Sequence, residues 1–110
     1  MRVSLVPLDP PPCLRYFIRA DGRHAGGVTV HSGSGARVSY GGAVSWDMRR
    51  RGIASAALPL LFAKMRARGF SVCAVQIAPE NAASLALHQK LGFTQTEQDA
   101  QAVTMTLQLH

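Results

Sequence analysis

The feature that most constrains the fold is a change of hydrophobic pattern at Arg49–Ala54, where three arginines precede Gly-Ile-Ala. Before this run, apolar and polar residues alternate over short segments, which is typical of β-strands. After it, the apolar residues recur at helical spacing, at Ile53, Ala56, Ala57, Leu60, Leu61 and Met65. One face of this helix is therefore expected to pack on a sheet. A basic loop connects the last strand to the helix.

The residues before the loop predict an antiparallel meander of strands. The dipeptide Asp21-Gly22 is typical of a hairpin turn, and Ser32-Gly33-Ser34-Gly35 predicts a flexible connection. The predicted strands cover residues 1–8, 14–20, 26–31 and 36–44.

The residues after the loop predict two helices and three further strands. The first helix is expected to end near Gly69, and Pro59 inside it is expected to kink it because proline lacks an N–H donor. Residues 70–77 form a compact apolar run that is typical of a buried central strand. A second helix is predicted at 82–91, and strands at 93–96 and 103–109. The order predicts a single α/β domain, with a mixed α+β sheet, over residues 1–110.

Composition supports one folded domain in the cytoplasm. The chain has 110 residues, of which 47% are hydrophobic, so it can bury a core. No apolar run approaches the roughly 18 residues that span a bilayer, and the N-terminus lacks the pattern of a signal peptide. Cys13 and Cys73 have no metal-type spacing, so we expect reduced thiols and no metal site. The sequence thus predicts a cytoplasmic protein without a membrane partner.

The net charge of +6 indicates an anionic ligand. Five of the twelve Lys and Arg residues lie between positions 49 and 66, which favours a local anion site over a uniformly basic surface. Aromatic stacking clusters and a recognition helix are missing, so nucleic acid is not the expected partner. A basic surface that only keeps the protein soluble is the alternative.

The basic loop is suited to a pyrophosphate. A helix N-terminus has unpaired backbone N–H groups and partial positive charge, and an anion placed there gains from both. Gly52 permits close approach of a phosphate to the backbone, and Ala54 keeps the next position small. Arginine side chains add charge-assisted contacts. Taken alone, the loop also fits a basic turn or a nucleic-acid patch.

Two motifs together resemble the GNAT N-acetyltransferase superfamily. The run Val44–Ala54 is similar to the family's acyl-CoA loop, in which Gln or Arg, Gly, and Gly or Ala are fixed; Arg49, Gly52 and Ala54 match them. Further on, Asn81 opens a helix that ends in Lys90-Leu91-Gly92-Phe93, which is similar to the family's second signature. The resemblance implies a GNAT-like fold with central splayed strands, and acetyl-CoA as the cofactor.

The resemblance also implies roles for individual residues. It places the backbone of Gly42, Ala43 and Val44 against the pantetheine arm, with one N–H polarising the thioester carbonyl. Asn81 would hydrogen-bond the pantetheine, and His88, where the family commonly has Tyr, would protonate the departing thiolate. The residues implied around the pyrophosphate are Arg49, Arg50, Arg51, Gly52, Ile53, Ala54 and Ser55.

The implied reaction is direct transfer of an acetyl group to a primary amine in a ternary complex. Some family members place a Glu base where this chain has Gln76, and an amide cannot accept the proton, so no base is identified. A catalytically degenerate module that binds acyl-CoA or a partner is therefore the alternative. His88 has its own alternative, a partly exposed helix histidine without a catalytic role.

The segment between the first two predicted strands departs from the family. Two helices usually lie there, whereas this chain has only Asp9–Cys13. We therefore expect a short variant with an open acceptor side. The opening is expected to admit a bulky acceptor such as a peptide, or else to be closed by a second subunit in a homodimer.

Overall fold

The structure is a computed structural model that describes residues 1–10, 14–33, 35–44 and 52–109. Within these ranges it contains seven strands and two helices. Their order is β1 (Val3–Pro7), β2 (Arg15–Ala20), β3 (Arg23–Ser32), β4 (Arg37–Val44), α1 (Ile53–Ala67), β5 (Val72–Ile77), α2 (Ala82–Lys90), β6 (Thr94–Gln98) and β7 (Val103–Gln108).

The strands follow the hydrogen-bonded order β1-β2-β3-β4-β5-β7-β6. The pairs β1–β2, β2–β3, β5–β7 and β6–β7 are antiparallel, and β4 pairs with β5 in parallel. This arrangement confirms the mixed α/β fold and the early antiparallel strands. The chain divides into two compact units, unit 1 (residues 1–31 and 40–64) and unit 2 (residues 32–39 and 65–110). A single domain over the whole chain stays a prediction.

The parallel pairing between β4 and β5 is short. Among the described residues it joins Arg37 with Val72 and Val38 with Cys73, although β4 continues to Val44. The family resemblance implies that these two central strands splay apart, and this splay stays a prediction.

In unit 1, α1 packs against one face of β2 and β4. The Phe62 ring lies 6.0 Å from the Tyr40 ring, and the Lys64 ammonium lies 5.4 Å from the centre of the buried Tyr16 ring. Phe17, the next residue on β2, is 42% exposed because neighbouring side chains on a strand point to opposite faces. We call the side of β2–β4 that faces away from α1 the open face.

The buried stripe of α1 differs from the predicted one. Ala56 and Leu60 are exposed, whereas Leu58 and Phe62 are buried. The prediction placed Ala56 and Leu60 on the buried face. The structure instead buries Leu58 and Phe62, and the Phe62 ring contacts Tyr40. The helix is continuous through Pro59, which is exposed.

The N-terminal strands are joined by tight connections. Asp21 and Gly22 both have positive φ, of 50° and 80°, which is the geometry of a two-residue hairpin turn. Pairing therefore starts at Ala20 with Arg23, and β3 begins earlier than its predicted first residue, Gly26. The Leu8 N–H donates to the Arg15 carbonyl at 2.9 Å, so the chain turns back directly after β1. No helix lies in the described part of this connection.

Unit 2 is organised around the buried strand β5. Cys73 is fully buried, and β7 turns Val103 and Met105 inward as its alternation predicted. The Arg66 guanidinium donates to the Leu109 carbonyl at 2.9 Å, which ties the end of α1 to the end of the chain. No helix in the described ranges is long and apolar enough to cross a membrane.

The revised helix face predicts unequal effects of two neighbouring leucines. Leu61 is fully buried and Leu60 is 40% exposed. Leu61→Ala is expected to lower the free energy of unfolding by about 2–5 kcal/mol because it leaves a cavity. Leu60→Ala is expected to change it by about 0.5 kcal/mol or less. Urea unfolding of both variants measures this, and equal losses would contradict the assignment of the buried face.

Candidate functional site

The predicted cofactor-binding residues of unit 1 fall on either side of the loop. Gly42, Ala43 and Val44 form the C-terminal end of β4, and Gly52 directly precedes α1. The three arginines Arg49, Arg50 and Arg51 lie outside the described residues. The structure therefore describes the backbone at both ends of the predicted acyl-CoA loop.

The first turn of α1 has donors without acceptors. Its first i to i−4 hydrogen bond runs from the Ala56 N–H to the Gly52 carbonyl, at 3.1 Å. The N–H groups of Ile53, Ala54 and Ser55 precede that bond and have no partner within the described residues. No acidic residue lies in this turn to neutralise its partial positive charge. The turn is therefore suited to an external anion.

Gly52 fits this role through its backbone conformation. Its φ of 75° lies in the left-handed region, which side-chain-bearing residues rarely adopt. A Cβ built on Gly52 would meet no atom within 4 Å, so the space beside its backbone is open. Ile53, directly after it, is 2% exposed and anchors the start of the helix in the core. The start of the helix is thus held in place, and its N–H groups are suited to a phosphate.

Asn81 begins α2 as its N-cap. Its side-chain Oδ1 accepts a hydrogen bond from the Ser84 N–H at 3.1 Å. This capping role was not predicted from the sequence, although Asn directly before a helix is a typical cap signal. The side chain is exposed, and its amide nitrogen has no partner among the described residues. Asn81 can therefore cap the helix and donate to a ligand at the same time.

His88 is buried in unit 2. It is 6% exposed, and its ring lies 5.0 Å from the Phe93 ring in an edge-to-face contact. Its Nδ1 lies 2.7 Å from the Ser84 carbonyl oxygen, which can only accept, so Nδ1 carries the proton. The partial exposure assumed for a non-catalytic helix histidine is wrong. The general-acid role stays a prediction, with Nε2 as the nitrogen that would exchange the proton.

Other candidate reactive groups in unit 2 are unsuited to catalysis. Gln76 is exposed on β5, opposite Thr104, and offers an amide where a base would be needed. Burial raises the pKa of the Cys73 thiol to about 12, so it is not a thiolate near neutral pH. Within the described residues, no group of three or more His, Cys, Asp or Glu side chains is placed to hold a metal ion.

One histidine of unit 1 was not predicted from the sequence. His31, at the end of β3, is exposed, and its Nε2 would lie 3.6 Å from a Cβ built on Gly41. Gly41 directly precedes Gly42 on β4. The sequence pattern shows an exposed histidine at a strand end, but only the structure shows its contact with the strand that leads to the site.

The family comparison supports the motif assignment. The model of the "Acetyltransferase (GNAT) family" matches residues 4–93. None of the curated proteins matches the sequence.

Solved structures of acetyltransferases share the fold. The structure of yncA from Salmonella typhimurium, solved with its cofactor acetyl-CoA, is 25% identical with a TM-score of 0.76, over 87% of this chain and 64% of that one. The ribosomal-protein-S18-alanine N-acetyltransferase from Escherichia coli is 21% identical with a TM-score of 0.75, over 92% of this chain and 72% of that one.

A third solved structure has nearly the same length as this chain. The IAA acetyltransferase from Bacillus cereus is 14% identical with a TM-score of 0.78, over 97% of this chain and 98% of that one. A similar fold therefore occurs in another chain of this size.

The capping contact predicts that two substitutions of Asn81 differ. Asn81→Ala removes the acceptor for the Ser84 N–H and is expected to lower the free energy of unfolding by about 1 kcal/mol. Asn81→Asp keeps an acceptor oxygen and is expected to retain the stability of the parent chain. Urea unfolding measures both, and a loss in Asn81→Asp that equals the loss in Asn81→Ala would show that the cap contributes nothing.

Proposed function

Because the chain belongs to the acetyltransferase (GNAT) family, we propose that it transfers an acetyl group from acetyl-CoA to a primary amine. The observation that carries the proposal is the start of α1. There, a left-handed glycine and three N–H groups without a partner among the described residues support the acyl-CoA loop that the motif resemblance implies. Acetyl-CoA supplies the acetyl group as a thioester.

Two features of unit 1 would hold the cofactor. The N–H groups of Ile53, Ala54 and Ser55 would bind the pyrophosphate, and Arg49–Arg51 would add positive charge. The backbone of Gly42–Val44, at the end of β4, would bind the pantetheine arm and donate to the thioester carbonyl. In unit 2, the amide nitrogen of Asn81 would donate to the pantetheine while its oxygen caps α2.

Direct transfer fits the described side chains better than an acyl-enzyme. A covalent route needs an activated nucleophile. The buried thiol of Cys73 is protonated near neutral pH and therefore does not supply one. We propose that the amine attacks the thioester directly and that His88, in its doubly protonated imidazolium form, gives the Nε2 proton to the sulfur and keeps the Nδ1 proton on the Ser84 carbonyl. Because a thiolate is a moderately stable leaving group, this proton assists the reaction without being indispensable.

The open face gives room for the acceptor. Phe17, on this face, is a large apolar residue that is 42% exposed. A protein acceptor has a precedent in the name of the Escherichia coli enzyme of similar fold. A peptide amine is accordingly the acceptor class that we propose, and closure of this face by a second subunit stays the alternative prediction.

A catalytically degenerate acyl-CoA-binding module is the alternative function. It is supported by Gln76, which cannot act as a base.

Cofactor binding predicts a shift in melting temperature. At a concentration of acetyl-CoA one hundred times its Kd, the folded state is stabilised by about 2.7 kcal/mol, which corresponds to roughly 10 °C or more for a chain of this size. Coenzyme A and ADP are expected to stabilise as well, since both carry the pyrophosphate. Pantetheine, which lacks it, is the matched control and is expected to shift the melting temperature little. Identical curves with and without acetyl-CoA would refute the proposed cofactor.

Thiol release separates an enzyme from a binding module. Wild-type protein is expected to release free thiol from acetyl-CoA only when a suitable amine from a panel of alkylamines and short peptides is present. His88→Asn keeps a donor for the Ser84 carbonyl but cannot exchange a proton, so the rate is expected to fall by about tenfold to a hundredfold. An unchanged rate would show that His88 is structural, and binding without release would favour the degenerate module.

A further inference from the structure

The structure places an imidazole beside the strand that is proposed to hold the thioester. His31 ends the alternating part of β3, and its Nε2 would lie 3.6 Å from a Cβ built on Gly41. Glycine at position 41 therefore leaves the space that the ring covers. Gly41 is bonded to Gly42, the first of the residues proposed to bind the pantetheine and polarise the thioester.

Both residues lie on the open face. Val28 and Val30 of β3 are buried, so His31 points to the opposite side of the sheet. Tyr40 packs against Phe62 of α1, so its neighbour Gly41 also faces away from the helix. His31 is exposed, and the imidazole is therefore accessible from the side on which the acceptor is proposed to bind.

The ring nitrogens of His31 are available for proton transfer. Neither has a hydrogen-bond partner within the described residues. On the neighbouring strand β2, Arg15 lies opposite Thr29 and is held by Asp9 at 2.7 Å, and this hydrogen bond lowers the pKa of the Asp9 carboxyl. Gly41 on the other flank is uncharged. By contrast, the ring of His24 contacts Phe17 edge to face at 4.8 Å.

We propose that His31 is the general base of the reaction, a role that Gln76 cannot fill at the position where some family members have Glu. This inference rests on the proposed function. An alkylammonium with a pKa of about 10.4 is neutral in only about one molecule in a thousand near pH 7.5, so its deprotonation limits attack. Imidazole is the side chain best suited to accept a proton in this pH range.

The proposed reaction starts from the acceptor in its protonated form, an ammonium ion. One proton moves from the ammonium to Nε2 of His31, and the amine lone pair then bonds the acetyl carbon as the C–S bond breaks. The electron pair of that bond stays on sulfur, which takes up a proton. The new amide nitrogen loses its second proton to solvent, from which His88 regains the proton that it gave to sulfur, and His31 returns its own proton to solvent. The products are an N-acetyl amide, coenzyme A and one released proton.

The test compares two kinds of amine in two variants. With an alkylamine, His31→Ala is expected to lower kcat at least tenfold, because general-base catalysis contributes about a hundredfold or more. With methoxyamine, which is largely unprotonated at neutral pH, the same variant is expected to stay within about threefold of wild type. Added imidazole is expected to restore part of the alkylamine rate. His24→Ala, the matched control on the same strand, is expected to leave both rates unchanged.

A second measurement does not depend on turnover. The imidazole Cε1–H resonance of His31, assigned by its disappearance in His31→Ala, is expected to shift when coenzyme A and the alkylamine are added together. The resonance of His24 is expected to stay in place. Equal losses with both amines, or no loss with either, would overturn the base assignment. An inactive wild type that still binds acetyl-CoA would instead overturn the proposed function, and the base assignment with it.

Discussion

The rest of the proposed site depends on the first turn of α1, where backbone N–H donors without a partner among the described residues are held at a fixed position. Gly52 turns the chain with a φ of 75°, and Ile53 directly after it is buried, so the start of the helix cannot shift without exposing core surface. Leu61 and Phe62 secure the same helix further along. An anion site made from main-chain N–H groups needs this rigidity, because the groups themselves provide no specificity beyond their position.

The end of β4, Gly42–Val44, is the complementary part of the proposed cofactor site. On the open face of unit 1, strands β2 and β3 present Phe17 and His31 to solvent. The short connection after β1 is the sequence feature that we expect to leave an acceptor side accessible.

Much of the fold was predictable because its signals are local. The alternation of β7, the Asp21-Gly22 turn and the Gly69 and Gly92 helix ends each depend on a few neighbouring residues, and the elements formed where these signals placed them. The prediction of the buried side of α1 was wrong because Leu60 and Phe62 are both apolar. The packing of Phe62 against the Tyr40 ring is a tertiary contact that the sequence pattern does not show.

The candidate site was predictable where it follows a motif and not where it depends on contacts between strands. Gly52 and Asn81 stand at helix starts, as the two motifs indicated. The burial of His88 and the position of His31 over Gly41 come from packing that no short pattern records. The motif therefore placed the expected general base at Gln76, on the strand where the family often has this residue.

The most direct test of the central claim is to follow the amide N–H resonances of Ile53, Ala54 and Ser55 in an NMR titration with acetyl-CoA. These unpaired donors are expected to shift together and downfield with acetyl-CoA and with ADP, and to stay in place with pantetheine. Unchanged resonances at all three positions in protein saturated with acetyl-CoA would contradict the claim that the N-terminus of α1 binds the cofactor pyrophosphate.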